Sequence, residues 1–207
     1  MKYGVRYYYN SNELENLLNK IKSFKELNVD IRTYEKTIQY NHSNSEFSFY
    51  SKEVDGRYRI RVSKNDLEDK SKISWKRCLK KAEIDEVNSE GVEVSIKYED
   101  MDNLIYMTEK VLKMKPVESY ERYRHIFYND DVEIVVDEYP FGIVSEMESK
   151  NFDKAKEVIC YWLDKLGLKV EEPYKLSRDD FYTSLCRNQN VEIYKYVKFG
   201  LNMLVVR

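Results

Sequence analysis

Several short runs of this sequence place charged groups on alternate residues, with apolar residues between them. In "RYRIRV", Arg57, Arg59 and Arg61 share one side of an extended chain, and Tyr58, Ile60 and Val62 share the other. "SYERYRHIF" repeats the pattern with Arg122 and Arg124. "ISWKRCL" sets Lys76 opposite Trp75 and Arg77, and "GVEVSIKY" sets Glu93, Ser95 and Lys97 opposite Val92, Val94 and Ile96. In "VEIVVDEYPFGIVSEMES", Glu133 and Asp137 point away from Val132, Ile134 and Val136. After the Pro-Phe-Gly break, Glu146 and Glu148 again share a face, with Met147 opposed. Side chains alternate across a strand with period 2, so these are stripes of charge and not scattered residues. Guanidinium groups bind phosphate oxygens bidentately. Carboxylates on neighbouring strands suit a hard divalent cation, whose ligands are oxygens. The plainer reading of any one strand is a solvated outer face, because antiparallel sheets commonly keep one wet side. Repetition in strand after strand favours a charged concave surface for a metal–polyphosphate complex.

The elements that would carry these stripes follow from local patterning. Tyr3, Val5, Tyr7 and Tyr9 alternate with Lys2, Gly4, Arg6 and Tyr8, which predicts an opening strand. A helix follows, capped by Ser11 or Asn12, with Leu14, Leu17, Leu18, Ile21 and Phe24 at helical spacing. Residues 30–98 read as successive strands: "VDIRTYEKTIQY", "EFSFYS", "GRYRIRVS", "KISWKRCL" and "GVEVSIKY". The polar segment "VSKNDLEDKSK" reads as an exposed, mobile loop. A second helix is predicted over 100–113, then strands at "SYERYRHIFY", "VEIVVDEY" and "GIVSEMES". Asn151 caps a third helix with Phe152, Ala155, Ile159, Trp162, Leu163 and Leu166 on its apolar face, and Gly167 ends it. Ser177 and Asp180 resemble a capping box on a short helix through "DDFYTSL", and the tail "EIYKYVKFGLNMLVVR" can add a last strand. Strands come in runs without a helix between most of them, so the expectation is an α+β protein with a mainly antiparallel sheet.

Composition bounds the function. The 207 residues suit one domain, and 35 basic against 37 acidic residues leave a net charge of -2. A dedicated duplex-binding protein would carry a basic excess. Cys78, Cys160 and Cys186 are odd in number and lack metal-ligand spacing, so they read as free thiols in a reducing compartment. The N-terminus has no signal-peptide pattern, and no run approaches the roughly 18 apolar residues of a membrane span. A soluble, cytoplasmic protein with no membrane partner is expected, as a monomer or homodimer. His42 and His125 are isolated and read as surface or packing histidines, and no Ser-His-Asp or Cys-His arrangement can be assembled from local spacing.

The succession "RIR", "WKR", "VEV", "ERYR", "DVEIVVDEYPFGIVSEMES", a helix and "FYTSL" resembles the CYTH, or triphosphate-tunnel, superfamily over about 57–185. That superfamily includes thiamine triphosphatases, inorganic tripolyphosphatases and class IV adenylate cyclases. The resemblance implies an eight-stranded antiparallel β-tunnel with flanking helices over 1–187, and a C-terminal extension over 188–207. It implies a triphosphate-containing small molecule as ligand, with an RNA 5′ end as another, and Mg²⁺ or Mn²⁺ as cofactor. Carried over by position, Arg6, Arg57, Arg59, Arg61, Lys76, Arg122 and Arg124 would bind phosphate. Glu146, Glu148 and Glu133 would hold metal. Lys76 would also serve the bridging or leaving oxygen, and Asp137 or Glu93 would position water.

The superfamily opens on Glu-x-Glu-x-Lys, whereas this chain has "KYGVR": Lys2 and Gly4 stand in place of the two glutamates and Arg6 keeps the cation. Three readings stay open. Glu133 and Asp137 take over part of the coordination, in a metal-dependent triphosphatase or adenylate cyclase. Arginines alone bind a nucleotide, polyphosphate or RNA 5′-triphosphate without hydrolysis. Or the scaffold serves a structural or protein-binding role.

Overall fold

The computed structural model describes residues 4–51, 54–79, 89–151, 153–169, 178–193, 195–201 and 203. Within them the chain is α+β, with antiparallel strand pairing in every ladder whose register is resolved. The strands are β1 (Gly4–Tyr9), β2 (Asn28–Val29), β3 (Thr33–His42), β4 (Val54–Lys64), β5 (Asp69–Leu79), β6 (Ser89–Ile96), β7 (Met114–Tyr128), β8 (Val132–Tyr139), β9 (Gly142–Ser149) and β10 (Tyr196–Val197). The helices are α1 (Leu14–Lys22), α2 (Met101–Tyr106), α3 (Ala155–Leu166) and α4 (Arg178–Asn188). Eight strands are long, and β2 and β10 have two residues each.

The chain forms two compact units, one of residues 1–33 with 122–207 and the other of residues 34–121. In the first, β1 pairs β9, β9 pairs β8 and β8 pairs β7, while β2 also joins β7. One face of these strands is apolar because every second residue is: Val5 and Tyr7, Ile143 and Met147, Val132, Ile134 and Val136, and Phe127 are buried together. Leu18 and Ile21 of α1 and Ile159, Trp162, Leu163 and Leu166 of α3 cover that face. The predicted apolar stripe of α3 is thus the buried one, although Phe152 lies outside the described residues. Asn151 caps the turn before α3 through Oδ1, which accepts from Asp153 N and Lys154 N (both 3.2 Å). Gly167 closes it in the left-handed region, at φ 65°.

In the second unit β3, β4, β5 and β6 pair in sequence order. Tyr40 and Ile60 pack with Met101 and Met114, flanked by Ile38, Tyr58, Val62, Leu104 and Ile105. The Tyr40 hydroxyl, buried by the same packing, donates to Glu109 Oε1 at 3.1 Å. On β6, Ile96 is partly covered, and Val92 and Val94 are exposed.

Local structure departs from the sequence reading at several places. The helix start is capped by Asn10, not Ser11 or Asn12. Its side chain accepts from Asn12 N at 3.2 Å and Glu13 returns to Asn10 N at 2.8 Å, forming a 3₁₀ turn ahead of α1. "EFSFYS" is not a strand. Asn44 caps a 3₁₀ turn over Ser45–Phe47, and Asn41 takes Phe49 N at 3.0 Å, so side chains satisfy backbone groups that a ladder would have used. "VSKNDLEDKSK" is no mobile loop: β4 and β5 continue through it to a tight turn, where Asn65 Oδ1 accepts from Leu67 N and Glu68 N at 2.9 and 3.0 Å. The second helix is shorter than predicted and passes into a π-helical turn over Met107–Val111. The proposed Ser177 cap lies outside the described residues. Cys160 and Cys186 are free thiols. Among the described residues no helix is long and apolar enough to cross a membrane.

Gly56 sits where β4 passes the 45–51 turn so closely that a Cβ there would lie 2.2 Å from the Phe49 carbonyl oxygen. Gly56→Ala is therefore expected to destabilise the fold by about 1–3 kcal/mol, measured by urea denaturation. On β8, burial raises the Glu138 pKa, but His125 and Arg32 together lower it below its ordinary 4.5. A depressed carboxyl stabilises the fold above its unfolded pKa and loses that contribution as pH falls through the folded value. Glu138→Gln should lower stability at pH 7, and its difference from the parent should shrink as pH falls below 4.5.

Candidate functional site

The charged side of the first unit is built by the register of four strands. Arg124 lies opposite Asp137, Asp137 opposite Val144, and Val144 opposite Tyr8. The next row is Ile126, Val135, Glu146 and Arg6, and the one after it Tyr128, Glu133, Glu148 and Gly4. The sequence-predicted Arg6, Arg124, Asp137, Glu133, Glu146 and Glu148 therefore share one face.

Asp137, 1% exposed, anchors this face. It accepts from Arg124 Nε and Nη2, both at 2.7 Å, and from Arg122 Nη1 at 2.8 Å. Arg122, itself 6% exposed, also donates to the Tyr139 hydroxyl at 3.1 Å. Two guanidinium groups are thus held in fixed orientation by one carboxylate, which neutralises half of their charge. On β1, Arg6 donates to Glu146 Oε1 at 2.6 Å. Burial disfavours the Arg6 cation, but Glu146 and Tyr8 together outweigh it and the pKa is raised. Beside it, burial pushes the Tyr8 phenol up to about 12, against the opposing pull of Arg6. The Tyr8 ring stacks on Phe181 of α4 with centroids 3.8 Å apart.

The second unit carries its own charged side, opposite the face that packs on α2. Arg57 lies across from Lys76, Arg59 from Ser74 and Gln39, and Arg61 from Lys72 and Thr37. Arg59 Nε donates to Gln39 Oε1 at 3.3 Å and Arg61 Nε to Thr37 Oγ1 at 3.2 Å, with Glu35 Oε2 3.9 Å from Arg61 Nε. Asp55 grips Arg57 at 2.7–3.0 Å. Lys72 pairs with Glu93 at 2.7 Å. Lys76 is exposed, with no ion-pair partner among the described residues. The supporting side chains Glu35, Thr37 and Gln39 escaped the sequence reading, though the alternation in "YEKTIQY" carried their signal. Asp55 was also missed, and its spacing of two from Arg57 on one strand was the clue. His125 is not isolated: its Nε2 lies 2.7 Å from Glu138 Oε1 on the other side of β7–β8.

The expected metal set of Glu146, Glu148 and Glu133 does not fit this arrangement. Glu146 is occupied by Arg6, and Gly4 beside Glu148 offers no oxygen from its side chain. Glu133 and Glu148 lie opposite each other across β8 and β9. Among the described residues no three carboxylate, thiol or imidazole side chains converge as a metal site.

No protein-family model matches this sequence, and no curated protein matches it. Solved structures do share the fold. PH1819 of Pyrococcus horikoshii OT3 aligns over 89% of this chain and 99% of its own, with TM-score 0.64 and 22% identity. A candidate adenylate cyclase of Vibrio parahaemolyticus aligns over 88% and 97%, with TM-score 0.61 and 12% identity. HpAC1 of Hippeastrum, a candidate adenylyl cyclase with a dominant triphosphatase activity, aligns over 89% and 96%, with TM-score 0.60 and 15% identity. As the resemblance implied, the fold is α+β with antiparallel strands and is shared with candidate adenylate cyclases.

Asp137 holds two arginines, so its removal takes a buried ion-pair partner from both. Asp137→Asn is expected to cost about 3–5 kcal/mol, read by chemical denaturation.

Proposed function

We propose that this protein binds the triphosphate group of a small molecule, with tripolyphosphate, thiamine triphosphate or a nucleoside triphosphate as the candidates. The observation that carries this reading is the row of Arg57, Arg59 and Arg61 on β4, with Lys72 and Lys76 beside them on β5. Neutral acceptors, Gln39 and Thr37, orient two of these guanidinium groups through Nε, so the cations are aligned in advance. Alignment before binding lowers the entropy cost of ordering long side chains around a ligand. A triphosphate presents several anionic oxygens in a line, which an arginine row matches bidentately, while Lys76 supplies a compact charge for a bridging oxygen. The fold shared with a protein of dominant triphosphatase activity supports the same reading.

For hydrolysis, fixed arginines would stabilise charge on the terminal phosphoryl group, and a carboxylate would orient water. A second reading, binding without hydrolysis, rests on what the carboxylates do. Asp137 is saturated by two arginines, Glu93 is paired with Lys72 and Glu146 with Arg6. The carboxylates of the β1–β9–β8–β7 face do not fit Mg²⁺ or Mn²⁺, since Glu146 is held by Arg6 and Asp137 by two arginines.

A ligand that binds only the folded state raises the melting temperature by linkage, by about 5–10 °C near a hundredfold excess over Kd for a chain of this size. The expected outcome is such a rise with tripolyphosphate, ATP or thiamine triphosphate, abolished in Arg59→Ala/Arg61→Ala. Phosphate release followed in the same samples separates hydrolysis from binding. No rise with any of the three ligands sinks the reading.

A further inference from the structure

The cation row of the second unit leads to an aromatic residue. Along β3–β6 the alternation puts Tyr34, Tyr40, Tyr58 and Trp75 on the side away from Arg57, Arg59 and Arg61. Tyr50 is different. It lies opposite Asp55 in an isolated antiparallel bridge, and residues directly opposite each other share a face. Asp55 belongs to the charged side, because its carboxylate accepts from Arg57 Nε at 2.9 and 3.0 Å. Tyr50 therefore stands on that side, one row beyond Arg57, a step of about 7 Å along the strand. Its neighbour Phe49 points the other way, into the packing around Tyr40 and Ile60. All of these residues belong to the second unit. The Tyr50 side chain is not core: the residue is 57% exposed. Its main chain is nonetheless fixed. Tyr50 N donates to Ser48 Oγ at 3.2 Å, and the same hydroxyl donates to Tyr50 O at 3.0 Å. Asn41 Nδ2 donates to Ser48 Oγ at 3.0 Å, and Ser51 N donates to Val54 O at 2.9 Å, which closes the turn behind the ring. A large ring held in water on a fixed backbone, in line with a row of cations, suits a ligand that is planar at one end and polyanionic at the other.

We propose that Tyr50 is the headgroup platform of this site, and that the ligand is a triphosphate carrying a planar aromatic group. The proposal rests on the triphosphate-binding reading and deepens it: of the three candidates it selects the nucleoside triphosphate and thiamine triphosphate over inorganic tripolyphosphate. It also gives the ligand a direction. With the planar group on Tyr50, the phosphates run along β4 from Arg57 and Lys76, past Arg59, towards Arg61 and Lys72. The terminal phosphoryl group then lies at the end where Lys72 is paired with Glu93. Asp55 acts as a positioning residue between the ring and the row, since it fixes the direction of Arg57, the first cation that the phosphates meet. Inorganic tripolyphosphate would fill the row and leave the ring in water. Every base has a π-face, so stacking on Tyr50 separates ligands with a planar headgroup from those without one, and not one base from another.

The test is calorimetric titration of the whole protein, parent and Tyr50→Ala, with ATP, thiamine triphosphate and tripolyphosphate. The expected result is that Tyr50→Ala weakens ATP, thiamine triphosphate or both about fivefold or more, the loss typical of one stacked base, and changes tripolyphosphate affinity by less than about twofold. Tyr50→Phe keeps the ring and should match the parent with all three ligands. Tyr50→Leu keeps bulk without a π-face and should follow Tyr50→Ala, with circular dichroism as the check on folding of each variant. Equal weakening of all three ligands in the folded alanine and leucine variants, or no weakening of either headgroup ligand, overturns the role of Tyr50 and leaves triphosphate binding standing. Binding of tripolyphosphate alone by the parent does the same. No binding of any of the three by the parent overturns the triphosphate reading, and the proposal with it.

Discussion

A buried carboxylate with two arginines on it sets the terms for the first unit. Asp137 accepts three hydrogen bonds of 2.7–2.8 Å from Arg122 and Arg124, across a single pair of strands. Charges removed from water are tolerated only when they are paired and hydrogen-bonded. Once Asp137 meets that condition, β7 can carry two arginines inward without losing the ladder. The apolar residues that share the row, Val144 on β9 and Tyr8 on β1, can then close around them. Without the carboxylate the same residues would enclose two cations in poor solvent.

The same principle recurs with different partners along both units. Arg6 is paired with Glu146, Arg57 with Asp55, and Lys72 with Glu93. Arg59 and Arg61 are oriented through Nε by a neutral amide and a neutral hydroxyl, with Glu35 3.9 Å from Arg61. A neutral acceptor directs a guanidinium without cancelling its charge, and the β3–β4–β5 face carries more cations than carboxylates, unlike the β7–β8–β9–β1 face. The first is suited to attracting an anion. The second is nearly balanced internally, and its cations act chiefly through where they point. The fold is shared with HpAC1 and with a candidate adenylate cyclase.

Where local reading and structure parted, the cause was a short polar side chain satisfying the backbone. "EFSFYS" has the aromatic content of a strand, but Asn41 and Asn44 hydrogen-bond to the main chain there and turn it. "VSKNDLEDKSK" has the polarity of a loop, but Asn65 makes a turn so tight that both flanking strands continue to Lys64 and Asp69. Polarity measures contact with water, not absence of hydrogen-bonded structure. An exposed hairpin end is polar for the first reason while remaining fully paired.

Alternation of period 2 was legible in the sequence because it is a covalent consequence of extended backbone. It was enough to sort Arg57, Arg59 and Arg61 from Tyr58, Ile60 and Val62, and Glu146 and Glu148 from Met147. The stripe of α3 and its glycine stop were equally local. Pairing partners were not legible, because register is decided by which strands meet. Only the tertiary structure could bring Arg6 against Glu146, 140 residues apart in the chain, or put Asp137 on both Arg122 and Arg124. Those meetings determine whether a carboxylate is available to a metal or already bound to an arginine. One sequence pattern is compatible with either state, since the charge of a side chain is local and its neutralisation is not.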